Sequence, residues 1–480
     1  MPHGAAERRK IMYIGGLDIG TSGCKITIYD EKGNYIENHY KEYDSVHADG
    51  LHEIDAGEIV KAIKQIIGET ENIPEALGIT SFGETCVLLD KDDNILDNAM
   101  LYTDPRADIS CFDRNTVMNT AGCPLHGMFS LPKVVCIKKN NPEIYEKCTI
   151  ILLIEDFLAY ILTGNACIDY SLATRTMAFD IRKKEWSREI FDMAGIEIEK
   201  MSKPVPCGTV VGTSDKFGLK GTKIVVCGQD QIASAVGACA FEPGIAVDGS
   251  GTVECITPVF ESIPDDLSTC EYGFPFIPYF DGNYVCYAFS FTGGASLKWF
   301  RDNFAKDEKY SVLDANISDK CSDVLILPHF AGAATPYMDA EAKALIANVT
   351  LETSKYDIYK AVMEGVAYEM RINMDALHEF GIVPKKLLAT GGGSKSPVWV
   401  QIKSDVLGMP ITVIDAPEVG TLGAIMITGC AVGTFTDLKA AAEIYIRMGK
   451  TYEPNAEKHA QYSEKYETYK KMYKLAKELR

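Results

Sequence analysis

A chain of 480 residues is too long for a single hydrophobic core and predicts two or three domains. Its composition, 46% hydrophobic and 24% charged, is that of a folded globular protein, and a formal net charge of −19 argues against a nucleic-acid backbone or an anionic membrane as main partner. The 15 cysteines form no CxxC pair, no window approaches the ~18 apolar residues of a membrane span, and the charged start MPHGAAERRK precedes too short an apolar run for a signal sequence; reduced core thiols and a cytoplasmic location are expected.

The first stretch that carries chemistry is IGGLDIGTSGCKITIYD, Ile14 to Asp30. A short apolar run ends in Asp18, Gly20, Thr21, Ser22 and Gly23 make a turn, and alternation resumes from Lys25, which predicts a strand, a tight turn and a second strand. Glycine lets the turn N–H groups approach an anion, the hydroxyls add donors, and an acid at the strand end is placed to hold hydrated Mg²⁺ beside phosphates. An ordinary hairpin has the same pattern.

Tyr35 to Tyr43 alternates as a third strand, and Asp55 caps a helix to about Glu69 with Ile59, Ala62, Ile63 and Ile66 on one face. Strands over Ala76–Ser81 and Cys86–Asp90 flank SFGET, and LYTDPRAD leaves Asp104 and Arg106 at a strand end. Helices are expected over Ile109–Thr120, Leu131–Asn140, Ile154–Leu162 and Trp186–Ala194. A buried-type strand, Lys223–Val226, delivers Gly228, Gln229, Asp230 and Gln231 to a small-residue helix from Ile232 to Ala240.

Pro243 and Gly244 punctuate the chain, giving expected domains at 11–242 and 243–480. The opening device then returns: an apolar run from Gly244 ends in Asp248, passes Gly249, Ser250, Gly251 and Thr252, and re-enters a strand-like run. Recurrence after half the chain is what a duplicated, two-lobed α/β protein shows, and two such turns across a cleft would clamp the phosphates of a nucleotide. Helices follow over Ala295–Asn303, Tyr356–Phe380, Val398–Leu407, Gly420–Val432 and Leu438–Met448, and Tyr462, Tyr466, Tyr469 and Tyr473 form a packing stripe.

Asp230 sits where open α/β sheets present ligands, at a strand end. It reads either as the cap of its helix or as a general base accepting the proton of a hydroxyl that attacks a γ-phosphate. Glu84, Asp104 and Arg106 would suit a polyhydroxyl pocket or surface salt bridges equally. Gly391 to Gly393 opens a helix and admits either a nucleotide or a plain turn. Gly449-Lys450-Thr451 mimics the end of a P-loop, but Ile444 occupies the place of its first glycine.

Together these residues resemble the FGGY carbohydrate kinase family over nearly the whole chain. The resemblance rests on GLDIGTSGCK, TSFGETCVLLD, MFSLPKVVCIKKNNPE, DYSLATRTMAFDI, CGQDQIASAVGA, GSGT, FTGGASLKWFRD and ATGGGSKSPVWVQIKSDVLGMPI, in that order. It implies two ribonuclease-H-like, actin-like ATPase domains flanking a central cleft, ATP and Mg²⁺ as cofactors, a small sugar or polyol as substrate, and room for a homodimer. It also implies Asp230 as general base, Thr21, Ser22, Gly23, Thr252, Gly294, Lys298, Gly392 and Ser396 around the nucleotide, Asp18 and Asp230 at the metal, and Glu84, Asp104, Asp230 and Gln231 at the substrate. Gly83, Met128, Tyr102 and Cys136 depart from family positions, and Gly83-Glu84-Thr85 stands where xylulokinases carry met-his-gly. A ketopentose such as xylulose is the expected substrate; glycerol, erythritol or a sugar-independent actin- or chaperone-like ATPase are the alternatives.

Overall fold

The turn glycines do what the sequence asks of them: Tyr13–Ile19 (β1) and Gly23–Asp30 (β2) pair antiparallel, with Asp18 opposite Lys25. A computed structural model of the chain describes residues 11–48, 50–265, 267–416 and 418–480; the charged start at 1–10 lies outside the described residues. β2 pairs on with Tyr35–Glu42 (β3). Helix α1 (Ala56–Glu69) is capped by the Asp55 carboxylate, which accepts from the Gly57 N–H, and buries Ile59, Ile63 and Ile66 beside Leu17, Ile26 and Ile79 of the sheet.

Strand β4 (Ala76–Ser81) lies parallel to β1. Helices α2 (Ser130–Asn140), α3 (Ile154–Thr163) and the single turn α4 (Tyr170–Thr174) lead to the hairpin β5 (Thr209–Ser214) and β6 (Thr222–Gln229), and β6 runs parallel to β4 on its other edge. The six-stranded order is therefore β5-β6-β4-β1-β2-β3. Helix α5 (Asp230–Gly237) follows β6 directly, so the helix begins at Asp230 rather than after it.

The second half repeats the pattern. Strands β7 (Ile245–Ser250) and β8 (Glu254–Phe260) form a hairpin, helix α6 (Gly294–Phe304) and the long α7 (Lys355–Glu379) follow, and β9 (Lys386–Thr390) lies parallel to β7. A capping box at Ser354 and Asp357 starts α7. Helix α8 (Pro397–Leu407) then leads to β10 (Ile411–Asp415), parallel to β9.

From Glu418 the chain rejoins the first sheet as α9 (Val419–Ala431) and α10 (Leu438–Tyr445), before β11 (Arg447–Tyr452) closes the second sheet beside β10 and α11 (Ala456–Tyr469) packs against α8. Two compact units result, and neither is continuous in sequence: one holds the chain up to Asp113, Leu125–Gly237 and Glu418–Tyr445, the other Arg114–Pro124, Ala238–Pro417 and Ile446–Arg480. Of the expected tyrosine stripe, Tyr462, Tyr466 and Tyr469 of α11 group around Tyr368 of α7, while Tyr473 lies past the end of α11 and stacks on Tyr337.

Other boundaries differ from expectation as well. The first helix after Asp104 spans Arg114–Ala121, with 109–113 in a turn and irregular backbone, and the helix from Leu438 stops at Tyr445, because the following residues pair as an edge strand with β10. All 15 cysteines are free thiols, and among the described residues no helix is long and apolar enough to cross a membrane.

The return of α9 depends on glycines. A Cβ at Gly16 would lie 2.5 Å from the Thr421 carbonyl, one at its cross-strand partner Gly78 would lie 2.1 Å from Thr428 Oγ1, and one at Gly423 would lie 1.8 Å from the Ala233 carbonyl of α5. Gly237 of α5 meets the Val419 carbonyl in the same way, at 1.9 Å. Gly423→Ala is therefore expected to destabilise by about 2–4 kcal/mol in denaturant unfolding, since neither backbone can yield. Gly68→Ala, on the exposed face of α1 with nothing within 4 Å, is expected to be neutral or to stabilise by about 0.5–1 kcal/mol.

Candidate active site

Strands β1, β4 and β6 are parallel and end level, with Ile19 beside Ser81 and Ser81 beside Gln229. Asp18, the loop Phe82-Gly83-Glu84 and Asp230 therefore leave the sheet at one edge, the carboxyl edge where such sheets present ligands. Asp18 and Asp230 are each half-buried, and their charges interact. Burial pushes the Asp18 carboxyl up to about 6 against the attraction of Lys25, while burial and then the charge of Asp18 push Asp230 up to about 7. Lys25 itself pairs with Glu418, 2.8 Å from its Nζ. Gly420, at the start of α9, stands beside Asp18: a Cβ there would be 3.4 Å from Oδ2.

Glu84 is buried with φ at +64°, an uncommon backbone for a residue with a side chain. Three contacts hold it there. Lys133 Nζ and Ser130 Oγ both donate to its carbonyl at 3.0 Å, and Arg175 clasps its carboxylate, Nε at 2.5 Å. The Arg175 guanidinium lies over the Phe129 ring, and a Cβ at Gly83 would sit 3.0 Å from its Cγ, so the bare position 83 makes room for it. Burial pushes the Lys133 amine down to about 8. Glu84, Arg175 and the exposed ring of Tyr102 all fall within the electrostatic field of Asp230 or of one another.

The other expected substrate residues are placed differently. Asp104 is buried and both its oxygens are engaged: Oδ1 accepts from the Arg106 N–H and Nε, Oδ2 from the His52 N–H and Arg106 Nη2. Burial works against its charge, but these bonds hold its carboxyl below the usual range. It organises its loop. Gln231 is exposed and gives its backbone N–H to Asp230 Oδ1 at 2.7 Å.

Among the described residues no three His, Cys, Asp or Glu side chains gather as a metal cage. Mg²⁺ does not require one, because it keeps most of its water and takes one or two carboxylates with phosphate oxygens. Asp18 and Asp230 fit that demand: two neighbouring carboxylates, each raised by burial, with no cationic side chain bonded to either among the described residues. Thr21 and Ser22 beside them make no hydrogen bond through their N–H or hydroxyl groups among the described residues, whereas Gly20 and Gly23 close the turn with a 2.9 Å bond.

In the second unit, Gly251, Thr252, Gly294, Ala295, Lys298 and Trp299 line a pocket of about 490 Å³. The first turn of α6 is already capped by this loop, since Gly293 and Ala295 N–H donate to the Thr252 carbonyl and Gly294 N–H to that of Gly251. Gly294 permits the approach, because a Cβ would be 2.6 Å from the Gly251 carbonyl. Lys298 pairs with Asp302 at 2.5 Å. Ser396 caps α8, accepting from the Trp399 N–H and donating to Asp314 at 2.8 Å, and Gly392 is exposed with open space around it.

Asp248 holds the position in the second hairpin that Asp18 holds in the first, yet it is fully buried. Lys403 of α8 bonds to it at 2.9 Å, to Ser250 Oγ at 3.0 Å and to Glu254. Burial opposes the Lys403 charge, but the two carboxylates outweigh it and hold the ammonium above its ordinary value. One acid thus faces the sheet edge while its counterpart locks a loop.

Sequence reading missed Arg175, Lys133 and Lys403. The only signal was a basic residue inside an otherwise small or apolar run, SLATRTMAF for the first.

Residues 13–237 match the N-terminal domain and residues 276–432 the C-terminal domain of the FGGY family of carbohydrate kinases. A xylulose kinase of Staphylococcus epidermidis is 27% identical, with 97% of each chain covered. A glycerol kinase of Streptococcus pyogenes is 29% identical, with 90% of each covered. Among solved structures, a "xyloylose kinase" from Brucella ovis superposes with a TM-score of 0.90 at 23% identity, over 98% of this chain and 100% of the other, and shares the fold.

Replacing Lys403 by Met strands two buried carboxylates and is expected to cost about 3–5 kcal/mol in equilibrium unfolding. Adding Asp248→Asn and Glu254→Gln should recover most of that loss.

Proposed function

As this chain belongs to the FGGY family of carbohydrate kinases, we propose that it transfers the γ-phosphate of ATP to a hydroxyl of a ketopentose such as xylulose, with Asp230 as the general base. The observation that carries this reading is the meeting of Asp18, Glu84 and Asp230 at one sheet edge, with Arg175 neutralising Glu84. A carboxylate raised to about 7 is matched to proton abstraction near neutral pH. The relatives named xylulose kinase and glycerol kinase support a small polyhydroxyl acceptor.

In this reading the acceptor hydroxyl donates its proton to Asp230 as its oxygen attacks the γ-phosphorus in line. Glu84 and Arg175 orient the neighbouring hydroxyls, and Asp104 holds the loop that carries Tyr102. Holding the two reactants in register is worth about 7–11 kcal/mol of barrier. Mg²⁺ held by Asp18 and Asp230 would supply charge neutralisation of the phosphates. Thr21, Ser22 and Gly23 would donate to phosphate oxygens, as would Thr252, and Gly294, Lys298, Gly392 and Ser396 would line the rest of the nucleotide.

Asp230→Asn is expected to lower kcat by about 10²–10⁴-fold while ATP affinity, measured by calorimetry, stays near the parent value. Near-normal turnover would remove Asp230 from the chemistry. ADP release across xylulose, ribulose, erythritol and glycerol is expected to be highest with a ketopentose; a rate indifferent to every sugar would point instead to an ATPase.

A further inference from the structure

Three buried acids lie behind the sheet edge and take no part in the proposed chemistry: Glu155 and Asp156 in the first turn of α3, and Asp169 before α4. Asp169 caps α4 through the N–H groups of Ser171 and Leu172, and Asp156 accepts from Ser202 Oγ at 2.5 Å. Glu155 does something else.

Strand β6 follows β4 in register from Lys223 to Val226, then slips: Val226 faces Ile79 but Gln229 faces Ser81. Two residues, Cys227 and Gly228, are thus set against Thr80, which is a bulge, and Gly228 has φ at +86°. A bulge frees backbone donors from the ladder, and buried donors must find partners. Here both find the same one. Glu155 Oε1 accepts from the Cys227 N–H at 2.8 Å and from the Gly228 N–H at 2.7 Å. The next bonds continue the bracing: Thr80 Oγ1 donates to the Gly228 carbonyl at 2.7 Å, and the Gln229 N–H donates to Ser171 Oγ at 2.9 Å, itself tied to Asp169. Asp230 is the next residue.

We propose that Glu155 is a positioning residue of this kinase, holding the bulge at Cys227–Gly228 so that Asp230 leaves β6 aimed at the sheet edge. The inference rests on the reading of Asp230 as general base. A bulge inserts one residue, and in a strand one residue of register turns each side chain to the opposite face. If the two N–H groups lost their acceptor, drawing them back into the ladder by undoing the bulge would rotate Asp230 away from the acceptor hydroxyl. Misplacement of a reacting group by about 1 Å costs on the order of 10²-fold in rate.

The job requires an oxygen acceptor rather than a charge. Burial, and then the nearby Asp169, push the Glu155 carboxyl well above its usual range, and a glutamine offers the same acceptor oxygen in the same shape. This separates the brace from an electrostatic role.

The test uses the full-length enzyme with its best acceptor sugar. Glu155→Ala is expected to lower kcat by about 10²-fold, with ATP affinity and KM for ATP close to the parent, and Glu155→Gln to restore kcat. Asp156→Asn, a change in the adjacent buried acid, which bonds to Ser202 and makes no hydrogen bond to β6 among the described residues, is expected to keep the parent kcat. If Glu155→Ala does not yield folded protein, Glu155→Asp withdraws the same oxygen by one methylene and should show the same selective loss of kcat. A parent-like kcat in the variant that removes or withdraws the oxygen, or a glutamine variant as impaired as that one, would overturn the proposal. Asp230→Asn run alongside separates the two readings: if it is inactive while Glu155→Ala turns over normally, only the brace fails, and if it is active the assignment of Asp230 fails first.

Discussion

The first unit depends on the seat that α9 occupies. Gly16 and Gly78 are register partners on adjacent strands, and with Gly237 and Gly423 they bring the helix backbone against the sheet and against α5. No side chain larger than hydrogen fits at those contacts. The consequence is chemical as well as mechanical: α5 begins with Asp230, and the start of α9 carries Glu418 to Lys25 and Gly420 to Asp18. A segment nearly two hundred residues downstream of Asp230 therefore completes the surroundings of the acids at the sheet edge. The N-terminus of α9 also brings the positive end of a helix dipole beside Asp18, whose carboxyl burial raises.

The two units share a strand pattern and diverge in what they do with it. In each, a hairpin is followed by two parallel strands, and an acid stands just before the hairpin turn. In the first unit that acid keeps an accessible edge and a like-charged neighbour, which makes its ionisation responsive to a cation. In the second, Lys403 reaches across from α8 and converts it into part of the scaffold beneath Gly251 and Thr252. An ion pair so deeply buried contributes little net stability against an apolar replacement, but it fixes geometry, because either partner left alone would be costly.

Buried polar groups recur wherever the backbone departs from regular structure. Glu84 sits at positive φ under Lys133, Ser130 and Arg175, the β6 bulge rests on Glu155, and Asp104 ties its own loop together through Arg106 and His52. Each distortion leaves a buried donor or acceptor that a side chain meets, from another element for Glu84 and the bulge and from within the loop for Asp104. The site is thus built from irregular backbone held by polar side chains that themselves have nothing to do with phosphate.

Much of this could be read from the sequence, because the signals were local. The glycine-bearing turns after Asp18 and Asp248, the strand delivering Asp230, the Asp55 cap and the tyrosines of α11 all follow from spacing within a few residues of one another, and they appear as read. Tertiary structure alone decided which charges meet. Glu84 and Arg175 are 91 residues apart, Glu155 and Cys227 72, Asp248 and Lys403 155, and no periodicity links such pairs. Even the stretch after Leu438, which has helical spacing to Met448, yields to β10, whose open edge takes residues from Arg447 onward as a strand. Local pattern sets what each segment can become, whereas the partner that satisfies a buried charge is fixed only when distant segments are packed together.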